Sequence, residues 1–540
     1  MKRLTIFWNL CLLVLTGWAQ SGELMRIYTD KECYLAGEEL WVKVCVDDAA
    51  LPGNSLSKVA YVEVADTAQV YVQGKVALDD GMGWACIRFP QTMHSGIYRL
   101  TAYTRYMRNL PAERFPGMDI AVLNTLQGSD SDAMVVGDTT LLASERQEQP
   151  SCRLVADRKS YGQRVRVTLT GWEHYAAMKE LTLSVVRKDC RVCLPETLAP
   201  LVNGKSEEAE DFVVECEGHI VSGRVAGEAG DAPLSATLSC VGREVYLYDG
   251  RRQPDGSYRF YTNDVYGRQD VVFSAESPAD RPLHLEPLSP FAQLRPARLP
   301  RLHCLYDENE LVERSIGMQL SCLLPEVPLP KELSDLLCNQ LPTHSYNLDE
   351  YVRFNTVHEC IIEFMLGLKV DRVDGVRVIR TMREGTKLFS DYKSLVLWDG
   401  IPVENHEAVL NYNARLVHYA HQYRNKFTFG GKTYDGVLSF ITHRGNFGDM
   451  RVDEHSRMFS YEFPQNRPLF PMPEYAGNRE AASRMPDYRH TLCWMPLIPA
   501  DTRVVSFYTS DLPGDYVVVL RGLRPDGTSF EETLEFEVRR

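Results

Sequence analysis

The stretch "DKECYLAGEELWVKV" (Asp30–Val44) decides the fold. Its second half alternates. Leu40, Val42, Val44 and then Val46 fall on one face of an extended strand, with Trp41, Lys43 and Cys45 on the other. Successive side chains of a strand point to opposite faces, so such a run lays one face on a core. "VAYVEVA" (Val59–Ala65), "GWACIRF" (Gly83–Phe89) and "SGIYRLTAYT" (Ser95–Thr104) behave likewise, with Gly and Pro between them. Short alternating strands at this spacing predict a β-sandwich from Met25 to about Leu123.

The same stretch returns as "DRKSYGQRVRVTL" (Asp157–Leu169). Both copies run Asp, a basic residue, two residues, Tyr, then an alternating strand; the second reads as two residues shorter after its tyrosine. This repeat predicts a second sandwich. Between the copies, Gln127 to Pro150 is acidic, rich in Ser and Gly, and aperiodic, which reads as a linker. A Gly-x-Tyr step precedes a strand at Gly96/Tyr98, Gly256/Tyr258 and Gly514/Tyr516. A tyrosine at such a corner buries its ring and bonds its hydroxyl to backbone, so these are expected to be structural.

Further along, His219–Gly242 and Pro254–Thr262 predict a third small β unit, and Pro287 to Pro330 is proline-rich. "TVHECIIEFMLGL" (Thr356–Leu368) carries the clearest helix signal: Thr356 and Glu359 form a capping box, Ile361, Ile362, Met365 and Leu366 a helical stripe, and Gly367 a stop. Strands follow at "GVRVIRTM", "SLVLWDGIPV" (Ser394–Val403), "ARLVHYAHQY" and "GVLSFITH", an α+β region. In "SLVLWDGIPV", Asp399-Gly400 is turn chemistry and Pro402 stiffens the exit. From about Met485 the sandwich pattern returns.

The chain has 540 residues, enough for about three to five domains. Its net charge of −14 argues against nucleic acid or an anionic membrane as main partner. Lys2-Arg3, the apolar run Leu4 to Leu15 and Gly17-Trp18-Ala19 read as a secretory signal peptide, residues 1–19. No later segment is long and apolar enough to span a bilayer. The mature chain is expected to be soluble and exported, which permits disulfides. Thirteen cysteines remain once Cys11 is removed with the leader. Cys45 and Cys86 are a candidate pair; Cys190-Arg-Val-Cys193 reads as a local bridge or two ordinary thiols.

At this point the order of parts is similar to that of known proteins. "YTDKECYLAGEELWVKV" and "SGIYRLTAYTRYMRN" resemble the second macroglobulin (MG2) domain of the alpha-2-macroglobulin superfamily, as it occurs in exported Bacteroidota proteins. His219–Thr262 is similar to carboxypeptidase-regulatory-like β domains. "SLVLWDGIPV" with "YDGVLSFITHRG" (Tyr434–Gly445) resembles the plug domain of TonB-dependent outer-membrane receptors. "PDYRHTLCWMPLI" and "FYTSDLPGDYVVVLRGLRPDG" look like the C-terminal part of the same Bacteroidota proteins. The departures matter: too little chain follows the plug-like region for a transmembrane barrel, and there is no Cys-Gly-Glu-Gln thioester and no attached carboxypeptidase.

Catalytic patterns are missing: no His-Glu-x-x-His, Gly-x-Ser-x-Gly, Walker lysine loop or Gly-x-Gly-x-x-Gly after a strand. His418 and His421 would bind a metal on a helix, but a strand places them on opposite faces. His358-Glu359 opens the capped helix, and Asp79-Asp80-Gly81 is a turn without the ligand series of a calcium loop. No catalytic, cofactor-binding or metal residue is therefore assigned.

The expected fold is mainly β: tandem Ig-like or macroglobulin-like sandwiches with one α+β plug-like domain. The expected parts are a signal peptide (1–19), an MG2-like sandwich (24–123), a linker (124–150), a second macroglobulin-like sandwich (151–215), a regulatory-like β domain (218–285), a proline-rich connector (286–346), a plug-like domain (347–450) and a C-terminal sandwich (455–540). The resemblance implies a non-enzymatic envelope protein, periplasmic or at the outer membrane, that docks to an envelope protein partner through its plug-like module. Turns such as Asp399–Pro402 are candidates for the contact surface, although their turn chemistry by itself favours a structural hairpin. The alternative is an exported hydrolase whose converging His and Asp/Glu leave no sequence motif.

Overall fold

The computed structural model describes residues 22–48, 55–111, 114–127, 134–136, 152–195, 197–203, 212–226, 235–276, 283–323, 341–475 and 486–540. The signal peptide expected at residues 1–19 lies outside them. The fold is mainly β, as expected. The chain divides into two compact units: Met1–Cys216, Phe291–Val327 and Pro464–Arg540 make one, Glu217–Pro290 and Pro328–Phe463 the other.

In the first unit, the opening stretch builds a sandwich from eight strands: β1 (Glu23–Thr29), β2 (Cys33–Leu35), β3 (Glu39–Asp48), β4 (Val59–Ala65), β5 (Val70–Ala77), β6 (Met82–Arg88), β7 (Gly96–Thr104) and β8 (Gly117–Leu123). One sheet has the order β1-β3-β6, the other β2-β8-β7-β4-β5. Leu40, Val42, Val44 and Val46 face the core between them. The opposite face of β3 is also buried: Trp41 and Cys45 pack with Trp494, and Lys43 Nζ donates to Glu180 O (2.8 Å) and Thr182 Oγ1 (3.1 Å).

The repeated stretch explains itself in hydrogen bonds. Asp30 Oδ1 accepts from the Tyr34 hydroxyl (2.8 Å) and from Trp41 N (3.2 Å). Asp157 Oδ1 accepts from the Tyr161 hydroxyl (2.8 Å) and from Thr168 N (2.8 Å). Trp41 and Thr168 hold the same place after their aspartates, so the copies align without a gap. This corrects the two-residue shortening: Leu40 matches Val167 and Val42 matches Leu169, all fully buried. Two of the three corner tyrosines recur, Tyr98 donating to His94 O (2.8 Å) and Tyr516 to Leu512 O (3.0 Å), whereas the buried Tyr258 hydroxyl has no hydrogen-bond partner among the described residues.

The second sandwich is not confined to 151–215, and 455–540 is not a sandwich of its own. Val155–Ala156, Arg166–Thr170 and Val505–Tyr508 form a three-stranded sheet. Ser160–Tyr161, Ser529–Val538, Gly514–Leu523, Lys179–Arg187 and Thr491–Met495 form, in that order, a five-stranded one. The order reproduces the first sandwich strand for strand, down to the parallel pairing of Cys33–Leu35 with β8 and of Ser160–Tyr161 with Ser529–Val538. Everything between Lys179–Arg187 and Thr491–Met495 is an insertion in sequence. Half of this sandwich cannot bury its apolar face until the other half arrives.

Two further expectations change. Within the linker, Met134–Val136 pairs in parallel with Leu302–Tyr306. The proline-rich connector holds a sixteen-residue helix, α1 (Glu308–Leu323), capped by Asp307, whose carboxylate accepts from Asn309 N and Glu310 N. Prolines flank this helix but do not enter it.

From α1, Arg314 reaches both sandwiches. Its Nε donates to Glu38 Oε1 (2.6 Å), NH2 to Glu38 Oε2 (2.8 Å) and Cys33 O (2.7 Å), and NH1 to Asp189 Oδ1 (3.0 Å). Lys31 joins at Glu38 (3.0 Å), and His490 Nε2 lies 2.9 Å from Asp189 Oδ1. Burial alone would raise the Glu38 and Asp189 carboxyls, but Arg314 together with Lys31 at Glu38 and His490 at Asp189 more than offsets it, and both stay well below the usual carboxylate range.

In the second unit, the regulatory-like region forms two four-stranded sheets. Ser456–Glu462, expected in the C-terminal sandwich, instead pairs with Arg268–Glu276 here. The α+β region centres on a five-stranded sheet of His344–Asn347, Val417–Phe429, Lys432–Thr442, Leu395–Trp398 and Ile401–Pro402. Leu395–Trp398 runs parallel to Lys432–Thr442.

The cysteine expectations are revised. β3 and β6 pair Cys45 with Met82 and Trp41 with Cys86, so the two thiols sit about 13 Å apart along the ladder and cannot bridge. Cys190 and Cys193 lie three apart on a strand, on opposite faces, and do not bridge, which leaves the reading of two ordinary thiols.

Arg314→Met should lower unfolding free energy by about 3–5 kcal/mol, because two buried carboxylates lose their counter-charge. Urea titration at neutral pH measures it. In the unaltered chain the Glu38 and Asp189 contribution is complete above about pH 5 and drains away as pH falls through their depressed folded values; the variant should show a shallower acid dependence. Removing Thr491–Arg540 should abolish the cooperative melting of the second sandwich and raise apolar-dye binding, since Leu183 and Val185 lose their cover.

Candidate functional site

The α+β region carries the two features with chemical potential, and the turn expected to be exposed is neither. Asp399 and Gly400 both have positive φ (44° and 83°), which makes a two-residue hairpin turn between Trp398 and Ile401. Asp399 is fully buried. Its carboxylate accepts from Thr442 N (2.7 Å), Thr442 Oγ1 (2.7 Å) and Phe447 N (3.0 Å). Burial raises its pKa, against these donors. A Cβ at Gly400 would meet Cys240 O at 2.6 Å, so glycine is required there. The turn is therefore a structural clasp that ties "SLVLWDGIPV" to "YDGVLSFITHRG".

The exposed surface lies elsewhere. The Thr356 cap forms as expected, its Oγ1 accepting from Glu359 N, but Glu359 Oε2 reaches back to Asn355 N (2.9 Å), one residue before the cap. But the helix, α2 (Val357–Glu363), stops before Gly367, and only half of its predicted stripe is core. Ile361 and Met365 are buried, while Ile362 and Leu366 are 64% and 69% exposed. Val352, just before the helix, is 76% exposed. Beside them Tyr351 stacks flat on Phe364, centroids 4.1 Å apart. The segment 351–366 thus presents aliphatic and aromatic side chains to solvent where a helix usually turns its polar face outward.

The second feature begins two residues earlier. Asp349 sits in a short turn (Leu348–Glu350) whose first residue is capped by Asn347. Its Oδ2 is 3.8 Å from His418 Nε2, and its Oδ1 3.4 Å from His443 Nε2. The two imidazoles stack, centroids 4.8 Å apart and 18° from parallel. Arg353 pairs with the same carboxylate, and Arg243 NH2 donates to His443 O (2.7 Å). All three groups are partly exposed. Burial lowers the His418 pKa; Asp349 opposes this, while His443 and Arg243 add to it.

His421, the other half of the sequence pair, is buried and does not belong to this group. His418 was thus considered with the wrong partner. The missing signal is tertiary: Asp349, His418 and His443 lie on three elements that only the sheet order brings together.

No protein-family model and no curated protein matches the chain. Among solved structures it is similar to native alpha-2-macroglobulin of E. coli, with 8% identity over 96% of this chain and TM-score 0.23. It is similar also to Salmonella alpha-2-macroglobulin reacted with methylamine, with 10% identity over 96% of this chain and TM-score 0.16. An E. coli adhesin aligns at 13% identity over 52% of this chain and 64% of its own, TM-score 0.15. The chain spans 40% of the first structure and 23% of the second. Superpositions this loose do not establish shared ancestry or activity.

Asp399→Ala should cost at least about 3 kcal/mol, because three buried donors lose their acceptor. Chemical denaturation of the variant measures it, and a change under about 1 kcal/mol would mean that the clasp is dispensable.

Proposed function

We propose that the chain is an exported, non-enzymatic cell-envelope protein: a macroglobulin-like β scaffold whose plug-like α+β module docks to an outer-membrane component. The observation that carries this reading is the solvent-facing apolar segment 351–366. Val352, Ile362 and Leu366 stand in water beside a stacked Tyr351–Phe364 pair. Burying one such aliphatic side chain against a partner contributes roughly 1.5–3 kcal/mol. The apolar leader Leu4–Leu15 supports export, and the duplicated sandwich with its Asp-Tyr clasp supports a scaffold role. Among the described residues no helix is long and apolar enough to cross a membrane.

The hydrolase alternative draws on one observation, the convergence of His418, His443 and Asp349. These groups lie on a partly exposed surface rather than in a cleft that would exclude water from a reacting bond, which favours docking.

A chain carrying Val352→Asp, Ile362→Asp and Leu366→Asp should fold as the unaltered one does, since these side chains are outside the core. It should recover at least about tenfold less outer-membrane protein from native envelopes, three buried contacts being lost. Equal recovery by both chains would remove the docking assignment from this segment.

A further inference from the structure

We propose that Asp349, His418 and His443 bind a borderline transition-metal dication of the zinc class. The site does not depend on the docking reading, because metal uptake is measured on the chain alone.

The donor set fits this class. Two imidazole nitrogens and one carboxylate oxygen suit zinc and its first-row neighbours, whereas calcium and magnesium require shells of oxygen. The three ligand atoms lie within 4.8 Å of one another; Asp349 Oδ2 is 3.8 Å from His418 Nε2, and the 3.4 Å contact to His443 Nε2 runs through Oδ1. A tetrahedral ion with bonds of about 2.0–2.1 Å holds its ligand atoms about 3.3 Å apart. Closing on an ion therefore draws the ligand atoms together by up to about 1.5 Å, and the partial exposure of all three side chains permits it. The stacked imidazoles must each turn so that both Nε2 lone pairs meet at one point.

The surroundings prepare the ligands. Arg353 already holds Asp349 Oδ1, which leaves Oδ2 free to ligate and fixes the carboxylate, as outer hydrogen bonds do at metal centres. The guanidinium charges of Arg353 and Arg243 oppose a cation, which weakens the site and excludes ions that bind by charge alone. Three protein ligands leave a fourth position open to water or to a donor from another molecule, unlike the closed four-ligand shell of a structural zinc.

The test uses the full mature chain, stripped of metal, titrated with Zn2+ by calorimetry and with Co2+ by absorption. One equivalent of Zn2+ should bind, with affinity falling at least about tenfold in His418→Ala, His443→Ala and Asp349→Asn. His174→Ala, an exposed histidine of the other unit, should change nothing. Bound Co2+ should show visible d–d bands without the sulfur-to-metal charge-transfer band that cysteine ligation gives. Far-UV circular dichroism and melting confirm that each variant is folded. Uptake unchanged in the folded variants, or a thiolate band on Co2+, would overturn the assignment and move the ion to the cysteines.

Discussion

One guanidinium holds three parts of the first unit in register. Arg314 is buried with Glu38 and Asp189, and it takes a backbone carbonyl from the strand that carries Cys33. A charge in such a place has no second-best arrangement. Hydrophobic surfaces tolerate sliding, but a planar fork bonded to two carboxylates does not. The helix, the first sandwich and the second sandwich are thereby fixed to one mutual geometry, at the expense of desolvating the whole group. The polar seam beside it, Lys43 on Glu180 and Thr182, works in the same sense.

Around this centre the chain uses one plan twice. The Asp-Tyr clasp closes each sandwich at the same corner, and the sheet orders coincide. The clasp is local, spanning a few residues of sequence, so it nucleates the corner before distant strands pair. The remaining strands differ sharply in range: the first copy is contiguous, and the second is completed across the insertion.

What was legible in the residues follows this division. Alternation in Glu39–Val46, the Asp-Tyr repeat, the Asp399-Gly400 turn and the Thr356 cap are written within a dozen residues, and each formed. The shared second sandwich was not legible, because period-two alternation in Lys179–Arg187 and Gly514–Leu523 says that each is a strand but not that they are neighbours. α1 was hidden by the prolines on either side of it, although the Asp307–Glu310 spacing marked its start. The exposure of Ile362 and Leu366 was not legible, because helical spacing identifies a stripe without saying how much of it finds a partner. The Asp349, His418 and His443 group was out of reach for the same reason as the second sandwich: its geometry belongs to the sheet.

The split second sandwich makes one half of a domain wait on the other across a long stretch of chain. Lys179–Arg187 needs Thr491–Met495 and Gly514–Leu523, roughly 300 residues further along, and such long-range pairing forms late. A chain emerging N-terminus first can close its first sandwich at once, whereas the second stays open until Thr491–Met495 and Gly514–Leu523 appear. Chains cut short anywhere in that interval keep bare strand edges and an uncovered apolar face, the features that holding chaperones and proteases engage. Arrival of Thr491–Met495 and Gly514–Leu523 is thus the step that covers the strand laid down some 300 residues earlier.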